Sequence, residues 1–247
     1  MSQSTPVVLV HGGGFAGSCW DLLTPLLQGP VLAVDLPGRG RHPAPLDQVT
    51  LRYAAASVAA DVDVAGFDDI VLVGHSLAGC SMPAMIGLLG TRVRHAVFVA
   101  CTVPEDGTSC WDTLPDGIKT LADGGSSVSE QSELGVLAPE MARALFGNDL
   151  NEDQIGWMLE RMVPEAPALT TGKVDLAPLR GTMPRTWVRT MQDVVVPPDR
   201  QARFAKNVGN CGVIDLHAAH MCMISQPAAL ARIVNEIADG SGAARSG

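Results

Sequence analysis

Gly74-His-Ser-Leu-Ala-Gly79 joins the apolar, β-branched run Asp69–Val73 to a second apolar stretch, Cys80–Leu89. The first run is typical of a buried strand and the second of a helix. A serine between small residues at a strand-to-helix turn is the pattern of a nucleophile elbow, because the strained turn leaves no room for larger side chains. Ala78 takes the last position of the usual Gly-x-Ser-x-Gly pattern and is still small. We therefore interpret Ser76 as a nucleophile, with an ordinary turn serine as the alternative.

The composition describes an apolar, acidic protein. Hydrophobic residues make up 47% of the 247 residues and charged residues 17%, with a formal net charge of −9. The mean hydropathy is +0.20. Such a chain suits one domain of ordinary size whose sheet is covered on both faces. The negative charge argues against nucleic acid and membranes as partners, and no apolar run reaches the roughly 18 residues of a membrane span.

Several features predict a cytoplasmic protein. The chain enters a strand directly after Met1–Pro6, so we expect no signal peptide. The six cysteines show no Cys-x-x-Cys spacing, and most lie in apolar segments. This indicates reduced core thiols, with a structural disulfide as the alternative. Three lysines against fourteen arginines, with abundant alanine, indicate a high-GC bacterial genome.

Strand and helix signals alternate along most of the chain, which predicts an α/β fold with a mostly parallel sheet and helices on both faces. The expected strands are Pro6–Val10, Val31–Asp35, Ile70–Gly74, His95–Ala100, Thr186–Met191 and Gly212–Leu216. The expected helices of this core are Trp20–Leu27, Leu51–Val64, Ser76–Leu89, Pro198–Asn207 and Pro227–Ala238.

The alternation breaks between Cys101 and Arg185, where Gly/Ser-rich sequence precedes helical stretches at Pro139–Phe146 and Asn151–Met162. This segment is too long for a loop of a compact domain. We therefore predict a core of residues 1–101 and 185–247, with a helical cap of residues 102–184 inserted after the strand that ends near Ala100. Residues 239–247 are expected to form a disordered tail.

A nucleophilic serine needs a base within hydrogen-bond reach, and the base needs an acid that orients it. After a nucleophile elbow, these partners follow in the order Asp, His. Asp193 comes directly after the predicted strand Thr186–Met191 and fits the position of the acid. Asp199, in the first turn of the next helix, and Asp215, within the last strand, are weaker alternatives.

Two histidines follow the last predicted strand, His217 and His220. We favour His220 as the base because it is further from the strand and nearer the helix that begins at Pro227. In that interpretation His217 is a strand-end residue that bonds to the backbone. The His-x-x-His pair could also bind a metal, but no third ligand lies nearby in the sequence. We expect neither a metal nor a cofactor.

A developing oxyanion needs two hydrogen-bond donors. One is the N–H of Leu77, which lies at the start of the helix. The other is expected from the loop Val10-His-Gly-Gly-Gly14, because glycines let the backbone approach the substrate closely. Gly13 is our choice, and His11 is expected to shape the loop through a hydrogen bond.

The same glycines match a dinucleotide-binding pattern, Gly-x-Gly-x-x-Gly over residues 12–17, with Asp35 at the end of the next strand. That interpretation leaves the elbow, the late acid and the late histidine unexplained. We therefore disfavour a nicotinamide site.

Taken together, the motifs resemble those of the α/β-hydrolase superfamily. They are His-Gly-Gly-Gly after the first strand, Asp35-Leu-Pro-Gly-x-Gly40, the elbow, Gln192-Asp193, and His220-Met-x-Met-x-x-x-Pro227. The last motif is similar to the branch that holds plant methylesterases and hydroxynitrile lyases, with bacterial relatives. The resemblance implies a triad of Ser76, Asp193 and His220, oxyanion donors at Gly13 and Leu77, and a cap after Ala100.

Two positions separate this chain from the lyases of that branch. The lyases carry a threonine after the first-loop histidine and a lysine after the catalytic histidine, where this chain has Gly12 and Met221. Because no lysine stabilises a departing cyanide, we expect no lyase activity. Epoxide hydrolases and haloalkane dehalogenases use an aspartate nucleophile, and Ser76 argues against both.

The expected function is hydrolysis of a small, largely apolar ester or lactone. Gly12, Met221 and the cap residues Trp111 and Trp157 are candidates for substrate binding, and packing of the cap on the core is the alternative role for the tryptophans. Three other functions stay open: C–C bond hydrolysis, a non-hydrolytic step of a biosynthetic pathway, and a non-catalytic ligand-binding receptor. The expected partner is a small-molecule substrate, and a homodimer stays open.

Overall fold

The computed structural model of the protein describes residues 4–114 and 136–240. In this part of the chain six strands form one sheet, and all neighbouring strands are parallel. The strands are β1 (Val7–Val10), β2 (Val31–Val34), β3 (Ile70–His75), β4 (Val93–Val99), β5 (Arg185–Thr190) and β6 (Gly212–Leu216). The predicted α/β fold is confirmed, with strand ends within two residues of those expected.

Eight α-helices lie in the described residues. Five belong to the core: α1 (Leu51–Ala65), α2 (Ala78–Leu89), α6 (Pro198–Val208), α7 (Cys222–Ser225) and α8 (Pro227–Ala238). Three lie in the predicted cap: α3 (Pro139–Phe146), α4 (Glu152–Leu159) and α5 (Pro167–Thr171). None of the described helices is long and apolar enough to cross a membrane.

The sheet is covered on both faces because its strands alternate their side chains between two apolar clusters. In β1, Val8 and Val10 pack into the cluster shared with α1, α2 and α6, whereas Val7 and Leu9 pack into the cluster shared with α7 and α8. All four residues are fully buried. This two-sided burial explains why the central strands are continuous apolar runs.

The order of the strands locates the site. The sheet runs β2-β1-β3-β4-β5-β6, so the chain moves from β1 to one neighbour, β2, and later returns to the other, β3. Ligands of open parallel sheets bind beyond the carboxyl ends of the strands at such a reversal. The loops that begin at His11 and at Ser76 follow β1 and β3 there.

One predicted helix is wrong. Residues Trp20–Leu27 contain no α-helix; two short 3-10 turns, Gly17–Trp20 and Thr24–Leu26, occupy this region instead. Pro25 explains the difference, because it has no N–H to donate to the carbonyl four residues before it, which a continuous α-helix would require.

The described part of the segment between β4 and β5 contains the helices α3, α4 and α5, joined by turns and irregular chain. Helix α4 begins with a capping box in which Asn151 and Gln154 exchange side-chain-to-backbone hydrogen bonds. Residues 115–135 of the predicted cap and 241–247 of the predicted tail lie outside the described residues. The exact boundaries of core, cap and tail therefore stay predictions.

Candidate active site

The turn after β3 holds Ser76 in an unusual backbone conformation. Its φ is +52°, in the left-handed region that non-glycine residues rarely occupy. The Ser76 N–H donates to Val99 O at 3.0 Å, and the Ser76 carbonyl accepts from the N–H of Thr102 at 2.9 Å. These bonds to the neighbouring strand end hold the strained turn. A Cβ at Gly79 would lie 2.5 Å from the Thr102 carbonyl, which explains the small residue required there.

The three residues predicted as a triad lie in one hydrogen-bonded chain. His220 Nε2 is 2.9 Å from Ser76 Oγ, and His220 Nδ1 is 2.8 Å from Asp193 Oδ2. A carboxylate only accepts, so Nδ1 carries the proton and Nε2 is free to accept from the serine hydroxyl. His220 and Asp193 are buried, whereas Ser76 is half-buried and accessible. The arrangement can remove the serine proton and return it to a leaving group.

Asp193 is held as an anion by its surroundings. Oδ1 accepts from the N–H groups of Val195 and Val196, both at 2.8 Å, and Oδ2 also accepts from Thr190 Oγ1 at 2.9 Å. Burial by itself raises the pKa of this carboxyl. The neighbouring His220 and the hydrogen bonds from Val196 and Thr190 outweigh burial and hold the pKa below its usual range.

The alternative acids and the alternative base lie elsewhere. Asp215 forms a bidentate ion pair with Arg189 at 2.7 and 2.9 Å, and Asp199 is an exposed residue in the first turn of α6. His217 is exposed. No group of three metal-binding side chains occurs in residues 4–114 and 136–240. All six cysteines are free thiols.

The two predicted oxyanion donors lie beside each other. A Cβ at Gly13 would come within 3.0 Å of Leu77 Cδ2. Within the described part of the chain, neither the Gly13 nor the Leu77 N–H donates a hydrogen bond to a protein group. Gly12 is packed against the elbow, since its Cβ would lie 2.9 Å from both Ser76 Cβ and His75 Nδ1. Only glycine fits this close approach.

Two buried histidines shape the loops around the serine. His11 Nε2 accepts from the Leu36 N–H at 3.1 Å, and its Nδ1 donates to Gly12 O at 2.8 Å. His75 Nε2 donates to the carbonyl of His220 at 2.9 Å. Burial, with the charge of Arg39, lowers the pKa of His11 to about 4. Burial, with the neighbouring His220, lowers the pKa of His75 to about 3, so both rings are neutral.

The glycine loop after β1 is also held by the cap, through residues that sequence reasoning missed. Glu165 Oε2 accepts from the Gly14 N–H at 2.8 Å, and the Gly14 carbonyl accepts from Val163 N at 2.8 Å. The buried Arg39 forms a bidentate ion pair with Glu165 at 2.5 and 3.2 Å and donates to Phe15 O. Arg39 lies in the recognisable Leu-Pro-Gly-Arg-Gly turn, but no local signal links this turn to Glu165.

The same glycines do not form a dinucleotide site. The glycine loop leads into the short 3-10 turn Gly17–Trp20 and not into the α-helix that a pyrophosphate site needs. Asp35 accepts from the Gly17 and Arg41 N–H groups, at 2.8 and 2.9 Å, so it braces the loops.

The candidate substrate-binding side chains differ in their surroundings. Met221 is fully buried in the apolar cluster under α7 and α8. Trp157 is half-buried against that cluster, with the Arg161 guanidinium 3.8 Å above its ring. Trp111 is half-buried in the 3-10 turn Trp111–Thr113. Phe146, missed in the sequence, stacks on the His220 ring at 5.6 Å. Substrate binding by Gly12, Met221 and the tryptophans stays a prediction.

The chain is similar in sequence to plant proteins and in structure to a bacterial hydrolase. The sequence profile described as the alpha/beta hydrolase family matches residues 7–233. Methylesterase 3 of Arabidopsis thaliana is 28% identical over 259 residues, covering 94% of this chain and 95% of that protein. Norfluorocurarine synthase 2 of a Strychnos species is 27% identical over 279 residues, covering 96% and 97%. An extracellular alpha/beta-hydrolase from a Paenibacillus species superposes with a TM-score of 0.82 at 20% identity, covering 95% of this chain and 99% of that one.

Proposed function

The chain belongs to the alpha/beta hydrolase family, and from that premise we propose that it is a serine hydrolase of small, largely apolar carboxylic esters or lactones. The observation that carries the proposal is the hydrogen-bonded chain from Ser76 Oγ through His220 to Asp193, at 2.9 and 2.8 Å, on a strained elbow. The similarity to a plant methylesterase supports an ester as the substrate.

In the proposed reaction, Ser76 Oγ attacks the ester carbonyl while His220 Nε2 takes the hydroxyl proton. Asp193 stabilises the imidazolium that forms and fixes its tautomer. The N–H groups of Gly13 and Leu77 donate to the oxyanion of the tetrahedral intermediate. His220 then gives its proton to the leaving alkoxide, and an acyl-serine remains. A water molecule, deprotonated by His220, releases the acid and restores Ser76.

The test is hydrolysis of short-chain p-nitrophenyl and methyl esters by the purified protein. Ser76→Ala should lower kcat/KM by on the order of 10³-fold or more and leave the folded structure intact. A fluorophosphonate probe should label the wild type and not this variant. Labelling that persists without the Ser76 hydroxyl, or turnover that survives its removal, would refute the assignment.

The two histidines provide a matched comparison. His220→Ala should cost about as much activity as loss of the serine, because the two residues act as a unit. His217→Ala should keep most of the activity, since His217 is exposed and outside the hydrogen-bonded chain. The reverse order of losses would contradict the proposed base.

A non-hydrolytic step of biosynthesis is the second candidate function, since one relative, from a Strychnos species, carries the name of a synthase. Cyanohydrin cleavage is not the step we expect. Met221, which stands in place of the lyase lysine, is buried and uncharged, so it cannot stabilise cyanide. Incubation with mandelonitrile should release no cyanide above background. Cyanide release that depends on Ser76, without ester hydrolysis, would overturn the esterase proposal.

A further inference from the structure

The turn between α3 and α4 of the cap contacts the loop that carries the predicted acid. Asn148 Nδ2 donates to the carbonyl of Gln192 at 2.8 Å. Gln192 is the residue directly before Asp193. A displacement of this carbonyl would therefore be transmitted to the acid through one peptide unit.

The next residue of the same turn contacts the loop that carries the predicted base. Asp149 Oδ2 accepts from the N–H of Ala219 at 2.7 Å. Ala219 is buried and directly precedes His220. Phe146, three residues before Asp149, stacks on the His220 ring with an interplanar angle of 21°. Adjacent cap residues thus hold the residue before the acid and the residue before the base.

The Asp149 carboxylate lowers the stability of the fold at this position. Its Oδ1 is buried and has no hydrogen-bond partner among the residues that the structure describes. A buried carboxylate oxygen without a partner lowers stability, because it has lost water and gained no donor. The placement therefore suggests a role other than stabilising the fold.

The neighbouring strands support the loops after β5 and β6 on one side only. β6 is the edge strand, and its residues 212–215 are exposed. The loop after β6 is joined to the loop after β5 by the hydrogen bond from Gln192 N to Ala218 O at 3.0 Å. The same loop is also held from β3, where His75 Nε2 donates to the His220 carbonyl at 2.9 Å. On its outer side, the edge strand β6 has no neighbouring strand to support this loop.

We propose that Asn148 and Asp149 are positioning residues, through which the cap holds the acid and base loops in the geometry that the hydrogen bonds between Asp193, His220 and Ser76 require. The inference rests on the proposed hydrolase function and adds a role for the cap beyond shaping a pocket. Placement of such groups to within about 0.5 Å decides whether they react.

The test compares Asp149→Ala with Asp149→Asn, which keeps an oxygen that can accept from the Ala219 N–H. Asp149→Ala should lower kcat for an aryl ester by about 10- to 100-fold, with KM changed by less than about 3-fold. Asp149→Asn should restore most of kcat. Asn148→Asp, an exposed and nearly isosteric change that replaces the donor by an acceptor, should lower kcat in the same way.

A second measurement does not depend on turnover. The proton between His220 Nδ1 and Asp193 should give a far-downfield ¹H NMR signal, absent in His220→Ala. We expect this signal to shift or broaden in Asp149→Ala and Asn148→Asp. Glu152→Gln is the matched control, because it breaks an exposed ion pair with Arg143, at 2.7 Å, in the same cap.

The outcomes separate the two proposals. A wild-type protein that hydrolyses no ester refutes the proposed function alone, since the NMR signal still reports the placement of the loops. Unchanged kcat and an unchanged signal in Asp149→Ala and Asn148→Asp would overturn the positioning role. Equal losses in Asp149→Ala and Asp149→Asn would overturn it as well. If Asp149→Ala does not fold, Asn148→Asp decides the question.

Discussion

Acid should destabilise this protein well above the pH at which its carboxylates are protonated. The fully buried His11 and His75 have pKa values lowered to about 4 and about 3, whereas an unfolded histidine has a pKa of 6.5. Below pH 6.5 the unfolded chain therefore binds two protons that the folded protein excludes. The stabilisation is complete above pH 6.5 and is lost as the pH falls toward the folded values.

The magnitude follows from proton linkage. Each excluded proton contributes about 1.4 kcal/mol per pH unit inside this window. For His11 and His75 together, the free energy of unfolding should fall by about 4 kcal/mol between pH 7 and pH 5. This is a large part of the roughly 5–15 kcal/mol that a typical domain has. The partly exposed His95, whose pKa burial lowers to about 4, adds a smaller contribution of the same sign.

Urea unfolding at pH 7, 6 and 5 measures the effect. The midpoint should fall while the slope of free energy against urea stays constant. His75→Asn, first shown to be folded at pH 7, should reduce the fall in the free energy of unfolding by about 2 kcal/mol. His217→Gln, a change at an exposed histidine, should keep all of it. A fall of less than about 1 kcal/mol between pH 7 and pH 5 would refute the reasoning.

Three further results are expected. Asp193→Asn keeps the shape of the acid but favours the wrong tautomer of the base, so kcat should fall by about 10³- to 10⁴-fold with little change in melting temperature; an activity above a tenth of wild type would contradict the role of the carboxylate. Arg39→Met leaves the Glu165 carboxylate without its ion pair and should cost about 3 kcal/mol in urea unfolding. Adding Glu165→Gln to that variant should recover much of the loss, and strictly additive losses would contradict the coupling of the pair. Cys110 should be the first cysteine alkylated by iodoacetamide, as read by mass spectrometry, because the neighbouring Cys80 thiol and the charge of Arg200 outweigh burial and lower the pKa of Cys110; earlier alkylation of any other cysteine would be inconsistent with this.

Local sequence patterns were sufficient to predict the strands of the sheet and to choose the reacting residues. All six strands were predicted to within two residues of their ends, and β1 and β3 are apolar runs because a strand buried on both faces must be apolar throughout. Ser76, Asp193 and His220 were predicted from their places after three of these strands, and the structure brings them within hydrogen-bond distance. Parallel strands end at one edge of the sheet, so residues distant in sequence converge there.

The same local reasoning was wrong where one residue opposed the pattern. A helix was expected over Trp20–Leu27, but Pro25 lies within this range and two 3-10 turns form instead. The burial of Trp20 and Leu23 shows that the apolar side chains still serve the core. These apolar residues are thus buried in the core without forming the α-helix that was expected.

Only the tertiary structure decided how the cap is joined to the reacting groups. Arg39 and Glu165 are 126 positions apart and Asp149 and Ala219 are 70 apart, yet each pair is in direct contact. Such a contact leaves no periodicity in the chain, because its geometry depends on how separate elements pack. Each of the three charged side chains, Arg39, Glu165 and Asp149, looks in the sequence like an ordinary surface charge. Packing removes the water around these charges, so each charge depends on the polar group that it contacts in the folded protein.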